Sequence, residues 1–309
     1  MSLLNLFLAL LTSSIITFIL QYIFTKLSFF DAINHRSVHK SKATKIGGIS
    51  IFITLFIFSV IYYFKEDQIF DFSLLIPLGI MFIVGVYDDF YNADFKLKFL
   101  LQIIVAKILI DQGFVIDNFH GILGLDIIPN LASQLFTIFV FLVIVNSINF
   151  IDGIDGLAIT ETIKVIVLIE FFSNQPTKIY SLGVLSLFCL LPLYYFNFKR
   201  ENKVFLGDAG SLLLGTLISI YIFTLLGNDF KITENFSSNR AILSMAILIY
   251  PLIDLLRVFY IRIKNKKSPF RPDNNHIHHL LLKRGVNHLS ICFIIQLFSL
   301  LFLSIVIML

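Results

Sequence analysis

The hydrophobic residues of this chain form long continuous runs rather than alternating or amphipathic patterns. A helix that crosses a bilayer needs about 20 mostly apolar residues, because its backbone polar groups must be satisfied within the segment. The pattern therefore predicts an all-α polytopic integral membrane protein with about ten transmembrane helices. The predicted ranges are 3–25, 47–64, 72–87, 97–112, 131–149, 157–173, 179–197, 210–226, 239–262 and 289–308.

The connections between the runs predict the orientation, since lysine and arginine accumulate on the cytoplasmic side of a membrane. One alternating set of connections holds most of the basic residues, whereas the other set holds only Lys65, Lys178, Lys231 and Arg240. The first set is expected in the cytoplasm, which places both termini on the outside. The stretch 113–129, between the fourth and fifth runs, alternates loosely and predicts a small extracytoplasmic hairpin.

The composition agrees with a membrane protein. Of the 309 residues, 57% are hydrophobic and 14% are charged, compared with about 25% charged residues in soluble domains. The two cysteines, Cys189 and Cys292, lie inside apolar runs, so neither a disulfide framework nor a cysteine zinc site is expected. No soluble segment stands apart, and residues 1–309 are predicted to form a single membrane-embedded domain.

Seven aspartates and every histidine except His120 collect on the predicted cytoplasmic side; the aspartates are Asp88, Asp89, Asp94, Asp152, Asp155, Asp208 and Asp273. The pair Asp88–Asp89 closes the third run, and Asp94 follows one turn later. Carboxylates at a membrane boundary need positive compensation. Mg²⁺ or a cationic phosphate-binding wall would provide it, although the pair alone also fits a solvated helix end.

A second group recurs every three residues at the end of the fifth run. Asn146, Asn149 and Asp152 share one face if the helix continues. The sequence Gly-Ile-Asp-Gly at 153–156 then breaks the helix and is expected to leave backbone N–H groups free for a phosphate or a nucleobase. The alternative is that these aspartates and glycines serve only as turn and cap residues.

Two further features precede or lie within later runs. Asp208 lies between Gly207 and Gly210 at the start of the eighth run, where it is either a site carboxylate or only an N-cap. Asp254 and Arg257 are one turn apart in the ninth run. This spacing predicts that their charges neutralise one another, as a structural pair.

The largest predicted cytoplasmic loop contains Arg271, His276, His278 and His279, flanked by lysines. Arginine pairs with phosphate oxygens in a fork, and imidazole can donate to the same oxygens. The loop is therefore a candidate phosphate clamp. Contact with anionic lipid headgroups is the alternative, and it explains the lysines better than the histidines.

These residues carry a family resemblance that extends from about Asp31 to His279. The chain resembles the polyprenyl-phosphate N-acetylhexosamine-1-phosphate transferases in four ordered motifs: Asp88–Asp89, 146–158, 205–211 and 276–279. The last motif, His-Ile-His-His, resembles the corresponding motif of the branch that acts on UDP-N-acetylglucosamine or a related sugar. It is less similar to that of the branch that transfers phospho-N-acetylmuramoyl-pentapeptide.

The resemblance implies roles for individual residues. Asp208, together with Asn149, is expected to bind Mg²⁺, for which Mn²⁺ can substitute. Asp88 and Asp89 are expected to be catalytic at the lipid-phosphate end. The expected nucleotide-sugar residues are Lys45, Asn146, Asp152, Asp155, Arg271, His276, His278 and His279.

The implied reaction is Mg²⁺-dependent transfer of an N-acetylhexosamine 1-phosphate from a UDP-sugar to undecaprenyl phosphate. UMP is released, and the product begins a cell-wall or surface-polysaccharide lipid intermediate. The resemblance implies a bacterial cytoplasmic membrane with the active site facing the cytoplasm. The expected partners are the UDP-sugar, undecaprenyl phosphate and the bilayer, without nucleic acid, and a homodimer is left open.

Two other functions were weighed against this one. A membrane prenyltransferase also uses aspartates and Mg²⁺, but it needs two aspartate-rich repeats, and the pair Asp88–Asp89 has no second copy. A transporter would place its site near the bilayer midplane, whereas the polar residues here gather at one predicted end of the helices.

Overall fold

A computed structural model describes residues 3–31, 43–124, 126–233, 236, 239–269 and 273–308. A helix occupies each predicted apolar run, and the ninth run is split between two helices. The helices are α1 (Leu3–Lys26), α2 (Gly47–Phe64), α3 (Leu75–Tyr91), α4 (Phe95–Asp111), α5 (Asn130–Ile151), α6 (Leu157–Phe172), α7 (Tyr180–Asn197), α8 (Gly207–Leu226), α9 (Arg240–Ile247), α10 (Ile249–Lys264), α11 (Ile277–Lys283) and α12 (His288–Met308). The strands are β1 (Ala43–Thr44) and β2 (Lys203–Val204).

The helices are those of a polytopic membrane protein. Within the described residues, seven are long and apolar enough to cross a bilayer, or eight if the bent pair α9–α10 is one crossing. Helices α4 and α6 have 17 and 16 residues, which is short for a full crossing of about 20 residues. Ten crossings and the outside location of both termini therefore stay predictions.

The prediction of one continuous helix over 239–262 is wrong. Helices α9 and α10 meet at a break and are bent by 72°. Pro251 lies in the first turn of α10; it has no N–H to donate to the carbonyl of Ile247, and its ring crowds that carbonyl. The short helix α11, inside the histidine loop, was not predicted.

Helix α8 lies at the centre of the bundle, and its apolar window is entirely buried. It packs against α2, α3, α5 and α6. A Cβ atom on Gly48 of α2 would collide with the backbone of Ala209 and Gly210, and one on Gly85 of α3 would collide with the backbone of Asp208 and Ala209. Small residues let membrane helices approach closely, so these two glycines bring the first turn of α8 against α2 and α3.

A two-stranded parallel pair departs from the all-α prediction. Ala43 lies opposite Lys203, and Thr44 lies opposite Val204. The ladder continues where the backbone N–H of Phe205 donates to the Thr44 carbonyl at 2.8 Å. The pair fixes the segment before α2 against the segment before α8.

The predicted hairpin region, between α4 and α5, contains an antiparallel bridge between Asn118 and Ile127. The backbone N–H of Phe119 donates to the Asp126 carbonyl at 2.8 Å, and that of Ile128 donates to the Asp117 carbonyl at 2.8 Å. Its extracytoplasmic location stays a prediction.

Candidate active site

A cavity of about 500 Å³ opens at one end of the helix bundle. Helices α3, α5 and α7 end beside it, while α4, α8 and α12 begin beside it, so that alternate helices meet at the same end. The wall is rich in carboxylates and basic side chains. The charged residues of this cavity therefore lie at one end of the bundle rather than near its middle.

The structure brings most of the sequence-predicted site residues to this cavity. Those that line it are Lys45, Asp89, Asn149, Asp152, Asp155, Asp208, His276 and His279. Asp88 and His278 lie directly behind the wall, each bonded to or packed against a lining residue. Asn146 lies deeper along α5, and Arg271 lies outside the described residues.

Asp208 and Asn149 form the best candidate for a metal site. The Asn149 Nδ2 donates to Asp208 Oδ1 at 2.5 Å and to the Ser211 hydroxyl at 2.8 Å. Both bonds use the amide nitrogen, so neither of them occupies the amide oxygen of Asn149. No cluster of three His, Cys, Asp or Glu side chains suited to a metal occurs among the described residues. Mg²⁺ commonly uses one or two protein carboxylates, completed by water and phosphate oxygens, and this oxygen pair fits that pattern.

Asp89 holds the start of α8. Its Oδ1 accepts the backbone N–H of Asp208 and its Oδ2 accepts that of Ala209, each at 3.0 Å. Gly207 has a positive φ of 75°, and a Cβ there would come within 2.7 Å of Asp89 Oδ2. Asp89 is thus an N-cap supplied by another helix, which positions the neighbouring Asp208 carboxylate.

Lys45 is held between two carboxylates at the cavity. Its Nζ lies 3.0 Å from Asp31 Oδ1 and 3.7 Å from Asp89 Oδ1. Burial disfavours the ammonium form, but the hydrogen bond and the charge of Asp31 outweigh it and raise the pKa of Lys45. Lys45 is therefore a fixed positive charge in the wall.

Asp88 is paired with Lys98, which lines the cavity from the first turn of α4. Asp88 Oδ1 also accepts the backbone N–H of Ala93 at 2.8 Å. The Lys98 side chain is 18% exposed. The adjacent aspartates thus perform different tasks: Asp89 caps a helix, and Asp88 orients a lysine.

Asp152 and Asp155 have contrasting environments. Asp155 binds Lys203 and lies 2.5 Å from His288 Nδ1. For Asp152, burial is the main cause that raises its pKa well above the ordinary value, and the negative charge of Asp208 raises it further. A cation in the cavity would therefore stabilise the ionised form of Asp152.

The backbone donor predicted at Gly156, after the end of α5, is not free. The N–H of Gly156 donates to Asn197 Oδ1 at 2.6 Å. The expectation that this turn offers a free N–H group is wrong at Gly156. The physical reason is that the side chain of Asn197, at the end of α7, caps this backbone group.

Two of the three loop histidines, the buried His278 and the half-buried His279, are neutral near pH 7. Burial, and then the adjacent His276, lowers the pKa of His279 to about 4. Burial, and then His279, lowers the pKa of His278 well below its ordinary value. His278 Nδ1 lies 3.0 Å from the Tyr250 hydroxyl. These two rings cannot be counted as cations in the wall.

Asn146 is engaged away from the cavity. Its Nδ2 donates to Gln102 Oε1 at 2.8 Å and to the Leu142 carbonyl at 2.7 Å. Gln102 is fully buried on α4. The three-residue spacing thus correctly identifies a polar face of α5. Asn146, the residue of that face farthest from the cavity, connects α5 to α4 instead of lining the cavity.

Several cavity residues were not predicted as site residues. They are Asp31, Lys98, Asn197, Arg262, Asp273 and His288. All of them lie on the predicted cytoplasmic side, and all except Asp273 lie at or near the end of an apolar run. For those five, the position near a run end was the available signal. Arg262 is 2% exposed and donates to Asp273 at 2.9 Å.

The fold and the cavity define a polytopic membrane enzyme whose charged, metal-compatible site lies at one end of its helices. The chain belongs to glycosyl transferase family 4, whose model matches residues 72–226. That range extends from the turn before α3 to the end of α8 and includes Asp88, Asp89, Asn149 and Asp208.

Individual relatives agree over most of the chain. A probable undecaprenyl-phosphate N-acetylglucosaminyl 1-phosphate transferase of Bacillus subtilis is 31% identical, over 95% of this chain and 81% of the relative. The undecaprenyl-phosphate alpha-N-acetylglucosaminyl 1-phosphate transferases of Haemophilus influenzae and Salmonella typhi are 30% and 28% identical, covering 83% and 89% of this chain and 72% and 75% of the relatives. The resemblance stated from the four motifs is confirmed, and the chain is an enzyme of the phosphotransferase class.

Proposed function

We propose that this enzyme transfers N-acetylglucosamine 1-phosphate from UDP-N-acetylglucosamine to undecaprenyl phosphate at the cytoplasmic face of a bacterial cytoplasmic membrane. The observation that carries the proposal is one cavity in which the Asp208–Asn149 pair lies with two carboxylate-held lysines, Lys45 and Lys98. The names of the relatives supply the acceptor and the sugar.

The charge arrangement suits a reaction between two anions. The acceptor phosphate and the donor diphosphate repel one another, so positive groups must neutralise them before they meet. Lys98, oriented by Asp88, and Lys45, oriented by Asp31, present ammonium groups to the cavity. The long lipid chain of the acceptor would stay in the bilayer while its phosphate reaches these lysines.

Asp208 and Asn149 would hold Mg²⁺, which when bound neutralises phosphate charge and polarises the phosphorus under attack. Asp89 fixes Asp208 by capping the first turn of α8. Asn149 also fixes Asp208, through the hydrogen bond of 2.5 Å that its side-chain amide donates to Asp208 Oδ1. The protein thereby keeps the metal ligands in place before substrate arrives.

The transfer needs no strong base. A phosphate monoester has a second pKa of about 6 and is largely a dianion at neutral pH. An oxygen of the lipid phosphate attacks the sugar-bound phosphorus, the bond from that phosphorus to the bridging oxygen breaks, and UMP leaves with the bridging oxygen. A sugar linked to the lipid through a diphosphate is the product.

The test uses membranes that contain the chain, undecaprenyl phosphate and UDP-N-acetylglucosamine labelled in the β-phosphate. Labelled lipid should form only when Mg²⁺ or Mn²⁺ is added. In a separate reaction with unlabelled donor, added radiolabelled UMP should exchange into the nucleotide sugar. Parallel reactions with other UDP-sugars define the donor. No labelled lipid from any donor would overturn the function.

Asp208→Ala should abolish product formation while the protein stays in the membrane, since the change removes a charged ligand and one hydrogen bond to Asn149 but no apolar packing. Asp111→Ala is the matched control, because Asp111 is an exposed carboxylate at the other end of α4 that pairs with Lys107. Full activity in Asp208→Ala would contradict the metal assignment.

A further inference from the structure

Asp254, on α10, contacts the segment that carries the histidines, rather than serving only as the partner of Arg257. Its carboxylate is 1% exposed, and Oδ2 lies 2.6 Å from His276 Nδ1. Its Oδ1 accepts the backbone N–H of Ile277 at 2.8 Å. Arg257 Nη2 is farther from Asp254, at 3.5 Å, and also donates to the carbonyl of Asn275. Both carboxylate oxygens therefore hold consecutive residues of the histidine segment.

This contact determines how His276 faces the cavity. A carboxylate accepts but does not donate, so Nδ1 of His276 must carry the hydrogen. His276 lines the cavity, and with Nδ1 engaged, Nε2 is the ring nitrogen available to a ligand. The ring is held on two sides, with centroid distances of 5.6 Å to Phe150 and 5.3 Å to His278.

We propose that Asp254 is a positioning residue that presents Nε2 of His276 to a phosphate oxygen of the nucleotide sugar. A phosphate oxygen has no proton to give, so His276 must donate through Nε2 and carry a positive charge. The buried carboxylate of Asp254 compensates that charge, as a carboxylate does for other functional imidazoles. The inference rests on the proposed function, because it assumes a phosphate-bearing donor in the cavity.

The experiment is a double-variant cycle measured with UDP-N-acetylglucosamine and undecaprenyl phosphate. Asp254→Asn keeps the size but removes the charge, and it should lower kcat/KM for the nucleotide sugar by about 10–100-fold, the usual cost of losing the carboxylate behind a functional histidine. KM for undecaprenyl phosphate should not change. His276→Ala should cause a similar loss, and Asp254→Asn should cause no further loss in the His276→Ala background.

Glu170→Gln is the control for removing a carboxylate from a membrane helix. Glu170 lies at the other end of α6 and accepts hydrogen bonds from Thr177 at 2.6 Å and Tyr221 at 3.2 Å. Its kcat/KM should match the wild type. If Asp254→Asn does not accumulate in membranes, Asp254→Glu, which keeps the charge but displaces the oxygens, takes its place in the same cycle.

The outcomes separate the two proposals. Wild-type membranes that make no labelled lipid refute the proposed function itself. With an active wild type, the positioning role is refuted if Asp254→Asn retains full kcat/KM, or if the losses of the two single variants multiply in the double variant. A multiplied loss would mean that Asp254 supports the fold independently of His276.

Discussion

Replacing Asp89 with alanine is expected to destabilise the protein by releasing the first turn of α8. The Asp89 side chain is 4% exposed and accepts two backbone N–H groups, at 3.0 Å each, from Asp208 and Ala209. Such N–H groups have no acceptor within their own helix. Loss of one N-cap acceptor costs about 0.5–2 kcal/mol, so loss of two should lower the free energy of unfolding by about 1–4 kcal/mol.

Asp89→Asn provides a graded test of the same contact. The amide keeps one acceptor oxygen, so the expected loss of stability is about half that of alanine. For a chain of this size, about 2 °C of Tm corresponds to 1 kcal/mol. Asp89→Ala should therefore lower Tm in detergent by about 2–8 °C, with Asp89→Asn between it and the wild type.

The buried thiols of Cys189 and Cys292 provide the assay. A thiol-reactive fluorescent maleimide becomes bright as heating exposes them, and it reports unfolding without a tryptophan, which this chain lacks. Asp111→Ala is the control, because its carboxylate is 63% exposed and such pairs contribute about 0–1 kcal/mol. A Tm for Asp89→Ala equal to that of Asp111→Ala would refute the capping role.

Three further predictions concern the cavity and the helices packed around it. Gly48→Ala should lower Tm, because the added Cβ collides with the backbone of α8 and overpacking costs about 1–3 kcal/mol; an unchanged Tm would contradict the close approach of α2. Lys98→Gln should raise KM for undecaprenyl phosphate by roughly 10–100-fold, since a charged hydrogen bond contributes about 1.5–3 kcal/mol, whereas an unchanged KM in a titration of the lipid would remove Lys98 from the acceptor site. The folded state holds the His279 pKa near 4, below the ordinary 6.5, so its contribution to stability is complete above pH 6.5 and is lost as the pH falls toward 4. His279→Gln should therefore reduce the difference in Tm between pH 7 and pH 5, and an equal difference in both proteins would count against burial as the cause.

The positions of the helices follow from the sequence because each is a continuous apolar run with few charges. The same runs explain why distant residues share one cavity. Successive helices alternate in direction, so the end of α5 and the start of α8 meet at the same side, which brings Asn149 to Asp208. Alternation along the chain is enough to group these side chains without any knowledge of their rotamers.

Individual partners could not be predicted in the same way. The spacing of Asp254 and Arg257 predicts a helical ion pair, which forms at 3.5 Å. The spacing does not predict that the same carboxylate also holds His276, 22 residues along the chain. The spacing places Asn146 on the same face as Asn149, but the Asn146 side chain donates a hydrogen bond to Gln102 on α4. Such contacts depend on the rotation of each helix about its axis and on how neighbouring helices pack. The hydropathy of an apolar run predicts neither the rotation nor the packing. Pro251 was the one local signal for the α9–α10 break.

The position of Asp208, the candidate metal ligand on α8, follows from how this helix is held. Gly48 and Gly85 bring two helices against its first turn, and Asp89 caps it from α3. Asp208 therefore lies on α8, whose apolar window is entirely buried. It nevertheless lines an open cavity. A carboxylate on a loop would lose conformational freedom each time it bound a metal and two phosphates. In this protein, folding already restricts the Asp208 side chain, so little further conformational entropy is lost on binding. We therefore expect substitutions of Gly48 or Gly85 to weaken catalysis as well as stability, even though neither residue lines the cavity.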